Sequence, residues 1–131
     1  MVDRTGEHRQ QLDLKLNGTG PIINVARIFA LDAGVLKTNT LERLQAVEAA
    51  GGLEPELCRD LRDAFEFLML LRLERQMRQA REGQTPDNYL APESLTPLQR
   101  SLLREAFQTA ARAQALMEAK FRTAVWMQLG R

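Results

Sequence analysis

The hydrophobic and polar positions of the chain recur with the period of an α-helix in four separate segments. These predicted helices cover residues 21–33, 40–50, 55–82 and 97–128. Capping residues precede two of them, with Asn39 before the second helix and Thr96 before the fourth. Glycines that can end a helix follow the first three, at Gly34, Gly51 and Gly83. The predicted apolar stripe of the fourth helix comprises Leu98, Leu102, Ala106, Ala110, Ala113, Leu116, Met117 and Phe121.

The segment before the first helix has a different pattern. Leu12, Leu14 and Leu16 alternate with polar residues, which predicts an extended segment with one apolar face. We expect Gly18-Thr19-Gly20 to break this segment as a turn before the first helix. Because no other part of the chain shows a strand pattern, the sequence predicts an isolated strand without a partner.

Together these elements predict an all-α fold, an up-and-down four-helix bundle with an N-terminal extended segment. Residues 1–11 are polar and lack periodicity, and we interpret them as a linker. Residues 12–131 form the predicted helical domain. Two prolines and a glycine predict irregular structure over residues 83–95, the connection between the third and fourth helices.

Composition excludes several classes of function. The net charge is +1 and no basic run is interleaved with aromatic residues, so nucleic-acid binding is not favoured. His8 is the only histidine, which argues against a histidine-based metal site or a serine nucleophile activated by a histidine. Cys58 is the only cysteine, and no segment is apolar enough to be a signal peptide or a membrane span. We therefore expect a cytoplasmic protein without membrane contact.

Two sets of residues are candidates for binding. Lys15 and the glycines of the predicted turn, Gly18 and Gly20, could hold an anion at the start of the first helix, although such glycines are more often turn residues only. Asn24 and Arg27 form a polar stripe on a helix that is otherwise apolar almost all round.

A second polar group lies on the third helix. Arg72 and Gln76 are one turn apart, and Arg72 lies within an apolar run where an unpaired charge would be costly. Possible partners are Asp13, Asp32, Glu66 and Asp87. One interpretation is a structural network that joins the strand, the first helix and the third helix. The other is a polar groove for a ligand or a partner domain, with Asp87 and Asn88 in the loop beside it.

An ordered set of sequence stretches resembles a known family. These stretches are LDLKLNGTGPIINVARIFALDAG, TNTLERLQAV, LRDAFEFLMLLRLERQ and PDNYLAPESLTPLQRSLLREAFQTAARAQ. Over about residues 7–118 the chain resembles the C-terminal nucleotidyltransferase substrate-binding domain of bacterial signal-transduction proteins. In that family the helical domain follows a catalytic nucleotidyltransferase domain, with paired CBS domains and often a cyclic-nucleotide-binding domain further upstream. The family is similar to PII uridylyltransferases and glutamine-synthetase adenylyltransferases.

The resemblance implies a set of contact residues. Asp13, Lys15, Gly18 and Gly20 match a pattern that follows the catalytic domain in the related enzymes, whereas Pro21 and Ile22 replace its Arg-Asp pair. The catalytic Gly-Ser turn and paired Asp ligands are absent from this chain. The resemblance therefore implies a non-catalytic module without a cofactor of its own, and implies nucleotide and Mg²⁺ only for a separate catalytic domain.

Two hypotheses of function follow. In the first, the surface of Lys15, Asn24 and Arg27 forms one wall of the cleft beside the catalytic domain and contacts a nucleotide or protein substrate. In the second, the chain is a helical interaction or dimerisation module without a ligand site, and exposed apolar surface on the first and third helices pairs with a second copy.

Overall fold

The structure is a computed structural model that describes residues 2–3 and 11–130, with side chains over 11–122 and 126–130. Within these residues it contains helices α1 (Gly20–Asp32), α2 (Thr40–Ala49), α3 (Pro55–Arg81) and α4 (Pro97–Leu129). Three short strands are β1 (Val2–Asp3), β2 (Gln11–Asp13) and β3 (Tyr89–Leu90). The chain is 76% helical with little sheet, which confirms the predicted all-α bundle.

The predicted helix boundaries are confirmed by their hydrogen bonds. After α1, Gly34 has a φ of 70°, and the Val35 N–H donates to the Ala30 carbonyl at 2.8 Å, as in a Schellman motif. Asn39 Oδ1 accepts from the Glu42 N–H at 3.2 Å at the start of α2. At the start of α4, the side chain and backbone of Thr96 exchange hydrogen bonds with Gln99 in a complete capping box.

The predicted isolated strand has partners in the chain. β2 pairs antiparallel with β1 on one side and with β3 on the other, so that Leu12 lies opposite both Val2 and Leu90. The expectation of irregular structure over residues 83–95 was therefore wrong, because this connection contains β3 and a short 3₁₀ helix, Pro92–Ser94. β1 and Gln11 fall within the predicted linker, while His8 lies outside the described residues.

The extended segment is shorter than predicted. It ends at Asp13, and Leu14 begins a helical path that runs through a π-helical segment, Lys15–Thr19, directly into α1. Leu12 and Leu14 are buried, but Leu16 is 72% exposed because the alternation of a strand no longer applies to it. The prediction of a turn at residues 18–20 was also wrong, because these residues continue the helical path into α1.

The core lies between all four helices. α1 packs against α2 and α4, and α3 packs along α4 and α2. On α4 the predicted stripe was correct at Ala106, Ala110, Ala113 and Met117, but Leu116 is 47% exposed and the stripe was displaced at the start of the helix. Leu98 and Leu102 are exposed, whereas Leu103 and Phe107 are buried against the core. The buried face of this part of α4 is therefore shifted by one residue from the predicted stripe, towards the C-terminus.

Candidate functional site

The largest collection of predicted site residues lies in a surface groove where β2, the π segment, α1 and β3 meet α4. Its volume is about 460 Å³. We call it the Lys15 groove. It is lined by Asp13, Lys15, Leu16, Gly20, Pro21, Asn24, Asn88, Tyr89 and Gln114.

Four of the six residues proposed for substrate or inter-domain contact line this groove, namely Asp13, Lys15, Gly20 and Asn24. Arg27 lies beside it on the exposed side of α1, where its Nη2 donates to Asn24 Oδ1 at 3.1 Å. Gly18 is not at the surface, since it is buried against Leu68 and Phe107. The groove therefore brings together residues that are close in the sequence, but Gly18 is not among them because it packs into the core.

The Asp13 carboxylate begins the helical path. Its Oδ1 accepts from the backbone N–H of Lys15 at 3.0 Å and from that of Leu16 at 2.8 Å. The backbone carbonyl oxygen of Asp13 accepts from Asn17 Nδ2 at 3.2 Å. Asp13 thus caps the first helical turn, and the amides that could hold an anion there are already occupied.

At Gly20, where the sequence offered a possible anion site, the backbone amide already has a partner. The Gly20 N–H donates to the carbonyl oxygen of Lys15 within the π segment, so it is not directed at a ligand. The exposed Lys15 ammonium is then the positive charge that lines the groove. Any recognition of an anion here depends on side chains rather than on a helix N-terminus.

The predicted polar network joins α3 to the loop before β3. Gln76 Nε2 donates to the Asp87 carbonyl oxygen at 3.0 Å. Gln79 is 2% exposed, and its side chain both donates to Asp87 Oδ1 at 3.0 Å and accepts from the Asp87 N–H at 3.1 Å. Asp87 Oδ1 also accepts from the Tyr89 N–H at 3.0 Å, and Tyr89 begins β3. This geometry favours the structural interpretation for Gln76 and Asp87.

Arg72 does not take the part predicted for it. Among the described residues no ion pair joins it to any of the four proposed acidic partners, and its Nε is buried without a hydrogen-bond partner. Asp32 pairs instead with Lys120 at 2.9 Å. α1 is therefore not joined to this network as the sequence suggested.

Two contributors were missed by sequence reasoning. Gln79 completes the contact with Asp87, and its only signal is that it follows Gln76 by one turn on the same side of α3. Gln114 reaches the Lys15 groove from α4, and nothing local to it indicates this. Asn88 lines the groove as well, and its Oδ1 is buried without a hydrogen-bond partner among the described residues.

The groove offers polar side chains that suit the binding of a ligand. It presents side-chain amides from Asn24, Asn88 and Gln114 and one ammonium from Lys15, while its single carboxylate already caps a helix. The Cys58 thiol is buried elsewhere in the core. Burial raises its pKa from 9.0 to about 11, with Glu48 adding to the rise and Arg62 opposing it, so the thiol is protonated at neutral pH.

Other concavities of the described chain hold fewer of the residues predicted to bind a ligand. A concavity of about 430 Å³ between α3 and α4 is lined by acidic and apolar side chains. No group of three or more His, Cys, Asp or Glu residues is placed to hold a metal ion within residues 2–3 and 11–130. Over the same residues, every helix is too short or too polar to cross a bilayer.

Comparison with known proteins relates the chain to one family of domains, the same family that the sequence resembles. No curated protein and no solved structure matches the chain. The model of the family described as "Putative nucleotidyltransferase substrate binding domain" matches residues 1–121, and the chain therefore belongs to this family.

Proposed function

We propose that the chain is the non-catalytic, helical substrate-binding module of a bacterial signal-transduction protein of the nucleotidyltransferase type. In this proposal the Lys15 groove forms one wall of a cleft beside a catalytic domain, which supplies the nucleotide and Mg²⁺ chemistry in a cytoplasmic protein that also carries CBS domains. The observation that carries the proposal is the meeting of Lys15, Asn24 and Asn88 in one polar groove. Family membership supports the general class of function.

Each side chain of the groove has a role that follows from its chemistry. The Lys15 ammonium binds a phosphate of the substrate as a point charge with three donors. Asn24 and Asn88 offer amide donors and acceptors for the remainder of the substrate, and the buried Asn88 Oδ1 is an acceptor in need of a donor. Arg27 positions the Asn24 amide through their hydrogen bond, and Asp13 positions Lys15 by capping its turn.

Nucleotide titration of the isotope-labelled chain, followed by NMR, tests this proposal. We expect ATP, GTP, CTP or UTP to shift the amide signals of residues 13–24 and 88–89. Lys15→Ala removes the one ammonium that lines the groove among the described residues and is expected to weaken that binding about tenfold, equivalent to about 1.4 kcal/mol. In the full-length parent, Lys15→Ala and Arg27→Ala are expected to lower nucleotide binding or transferase activity.

The matched control is Lys37→Ala, which removes an equally charged, exposed side chain outside the groove. We expect this variant to bind like the wild type. Equal weakening by Lys15→Ala and Lys37→Ala would show non-specific attraction to the triphosphate. Shifts confined to residues outside the groove would contradict the site, and unchanged binding and activity of both parent variants would contradict the proposed contacts.

A second candidate function is self-association through exposed apolar surface, and one observation favours it. Leu70 and Leu73 on α3 are 68% and 54% exposed, although both lie in the middle of a long helix. This surface shares no residue with the Lys15 groove. The two functions are therefore compatible and can be tested separately.

A further inference from the structure

The side of α3 that faces away from the core is unusually apolar. Leu70 follows the buried Leu61 by nine positions, which at about 100° per residue places it on the opposite side of the helix. With Leu73 and Met77, which are 54% and 48% exposed, Leu70 forms what we call the α3 outer face. A surface helix normally carries polar residues on this side, and a contiguous apolar patch with a polar rim is typical of an interaction site.

The spacing of the α3 outer face is that of a helix-packing seam. Leu70, Leu73 and Met77 follow one another at intervals of three and four residues, which aligns them along one line of the helix. Phe65 and Leu41 extend the apolar surface toward α2, where a shallow concavity of about 480 Å³ lies next to Leu70. The partner that fits this surface is therefore an apolar helix face of similar length.

Charge at the two ends of the face, which flanks the apolar residues and the exposed Glu74 among them, fits a second copy of the same helix. Asp63 and Glu66 lie toward the N-terminal end of the face, and Arg78 and Arg81 lie toward its C-terminal end, all four exposed. Glu66 and Arg78 are each six positions from residue 72, and Asp63 and Arg81 are each nine positions from it. A second α3 in antiparallel orientation, centred at residue 72, would place opposite charges together at both ends. A parallel copy would place like charges together.

We propose that two copies of this chain associate through their α3 outer faces, antiparallel and about a two-fold axis at the level of residue 72. In such an isologous contact each pairing occurs twice, so two Glu66–Arg78 and two Asp63–Arg81 pairs flank the apolar seam. The apolar side chains supply the affinity, and the charges select the orientation. Arg78 now contacts Glu74 at 3.7 Å on the exposed surface, a weak pair that leaves it available to Glu66 of a second copy. The inference specifies the second candidate function and does not depend on the Lys15 groove.

Sedimentation velocity over a range of protein concentrations tests the surface. We expect the wild type to pass from a 14.8 kDa monomer to a particle of twice that mass. Leu70→Glu is expected to raise the dissociation constant of the dimer at least about tenfold, because it places a carboxylate in the seam. The matched control is Leu98→Glu on α4, since Leu98 is 69% exposed and Leu70 is 68% exposed. It should dimerise like the wild type.

Charge reversal tests the orientation. Glu66→Arg and Arg78→Glu are each expected to raise the dissociation constant several-fold, about threefold or more, because each reverses two symmetric contacts. An equimolar mixture of the two variants should recover wild-type dimerisation. In the mixed antiparallel dimer the arginine introduced by Glu66→Arg lies opposite the glutamate introduced by Arg78→Glu, and the second contact keeps its native Arg78 and Glu66. Dimers that persist in each variant but show no gain on mixing would overturn the antiparallel register.

Two other outcomes would overturn the proposal at different points. If the wild-type chain stayed monomeric up to about 1 mM, it would not self-associate, and the second candidate function would be contradicted as well. If Leu70→Glu and Leu98→Glu weakened the wild-type dimer equally, the chain would self-associate, but its interface would not be the α3 outer face. Neither result would bear on nucleotide binding by the Lys15 groove.

Discussion

At the scale of single residues, Gly18 and Gly20 allow close approach within a helical path and do not form a turn. A Cβ at Gly18 would lie 2.8 Å from Leu68 Cδ1 and 3.1 Å from Phe107 Cε1. A Cβ at Gly20 would lie 2.7 Å from the carbonyl oxygen of Lys15. The missing side chains at Gly18 and Gly20 therefore leave room for the π-helical segment against α3 and α4, and this winding places Lys15 and Asp13 at the groove.

We predict that Gly20→Ala destabilises the chain by about 1–3 kcal/mol, since the new methyl group must displace a backbone carbonyl. The direction of the stability change tests the explanation, because in an undistorted helix alanine would stabilise the chain by about 1 kcal/mol relative to glycine. Urea denaturation followed by circular dichroism measures the change. Gly130→Ala is the control, because its Cβ would meet no heavy atom nearer than 3.5 Å, and we expect a change within about 0.5 kcal/mol. A Gly20→Ala variant as stable as the wild type would contradict this explanation of the π segment.

The contact residues nearest in sequence were the easiest to predict. Asp13, Lys15 and Asn24 lie within a few turns of one another, so any compact path for this stretch places them on one surface. Gln114 and Asn88 join the groove from other elements, which only the packing of the bundle brings close. The position of Gln114 could not be predicted from a local pattern because it depends on which face of α4 is buried, and that of Asn88 depends on how the loop before β3 packs.

At the scale of elements, helix boundaries were predictable and strand pairing was not. The caps at Asn39 and Thr96 are completed within four residues, so their sequence signature contains the whole interaction. β3 is two residues long and pairs with β2, and Leu12 and Leu90 are far apart in the sequence. A strand of two residues is too short to show alternation, so the pairing carries no periodic signal.

The contact between Gln79 and Asp87 holds β3 in place, which leads to a prediction at this scale. Gln79→Ala would leave the Asp87 N–H and carboxylate without their buried partner and should destabilise the chain by about 1–3 kcal/mol. Amide hydrogen exchange should also accelerate over residues 86–90 before it does so in α3, because the loop loses its attachment first.

The control for this prediction is Gln84→Ala, which truncates an exposed glutamine of the same loop. We expect it to leave both the free energy of unfolding and the exchange pattern close to those of the wild type. If Gln79→Ala and Gln84→Ala proved equally mild, the reciprocal hydrogen bonds with Asp87 would not be what fixes β3 against the bundle.

At the scale of the whole molecule, α4 extends past the body of the bundle. Among the described side chains, its last contacts with α1 come from Phe121, whose ring lies 5.8 Å from that of Phe29, and from Lys120, which pairs with Asp32. Lys120 Nζ also lies 5.2 Å from the centre of the Phe29 ring. Residues 126–130 are all exposed, and the family match ends at residue 121. The domain that folds cooperatively should therefore end close to Phe121.

Two truncations test this boundary. Removing residues 126–131 deletes only exposed side chains among those described, including Trp126 and Met127, and should change the free energy of unfolding by less than about 0.5 kcal/mol. Removing residues 120–131 also deletes the Phe121 ring and the Lys120 ammonium, and should cost about 2–3 kcal/mol, the burial term of one large apolar side chain and its aromatic contact. Urea denaturation of both chains measures the two changes. Equal stability of the two truncated chains would place the end of the cooperative unit before Lys120, whereas a large loss from the shorter deletion would mean that the last turns of α4 stabilise the bundle.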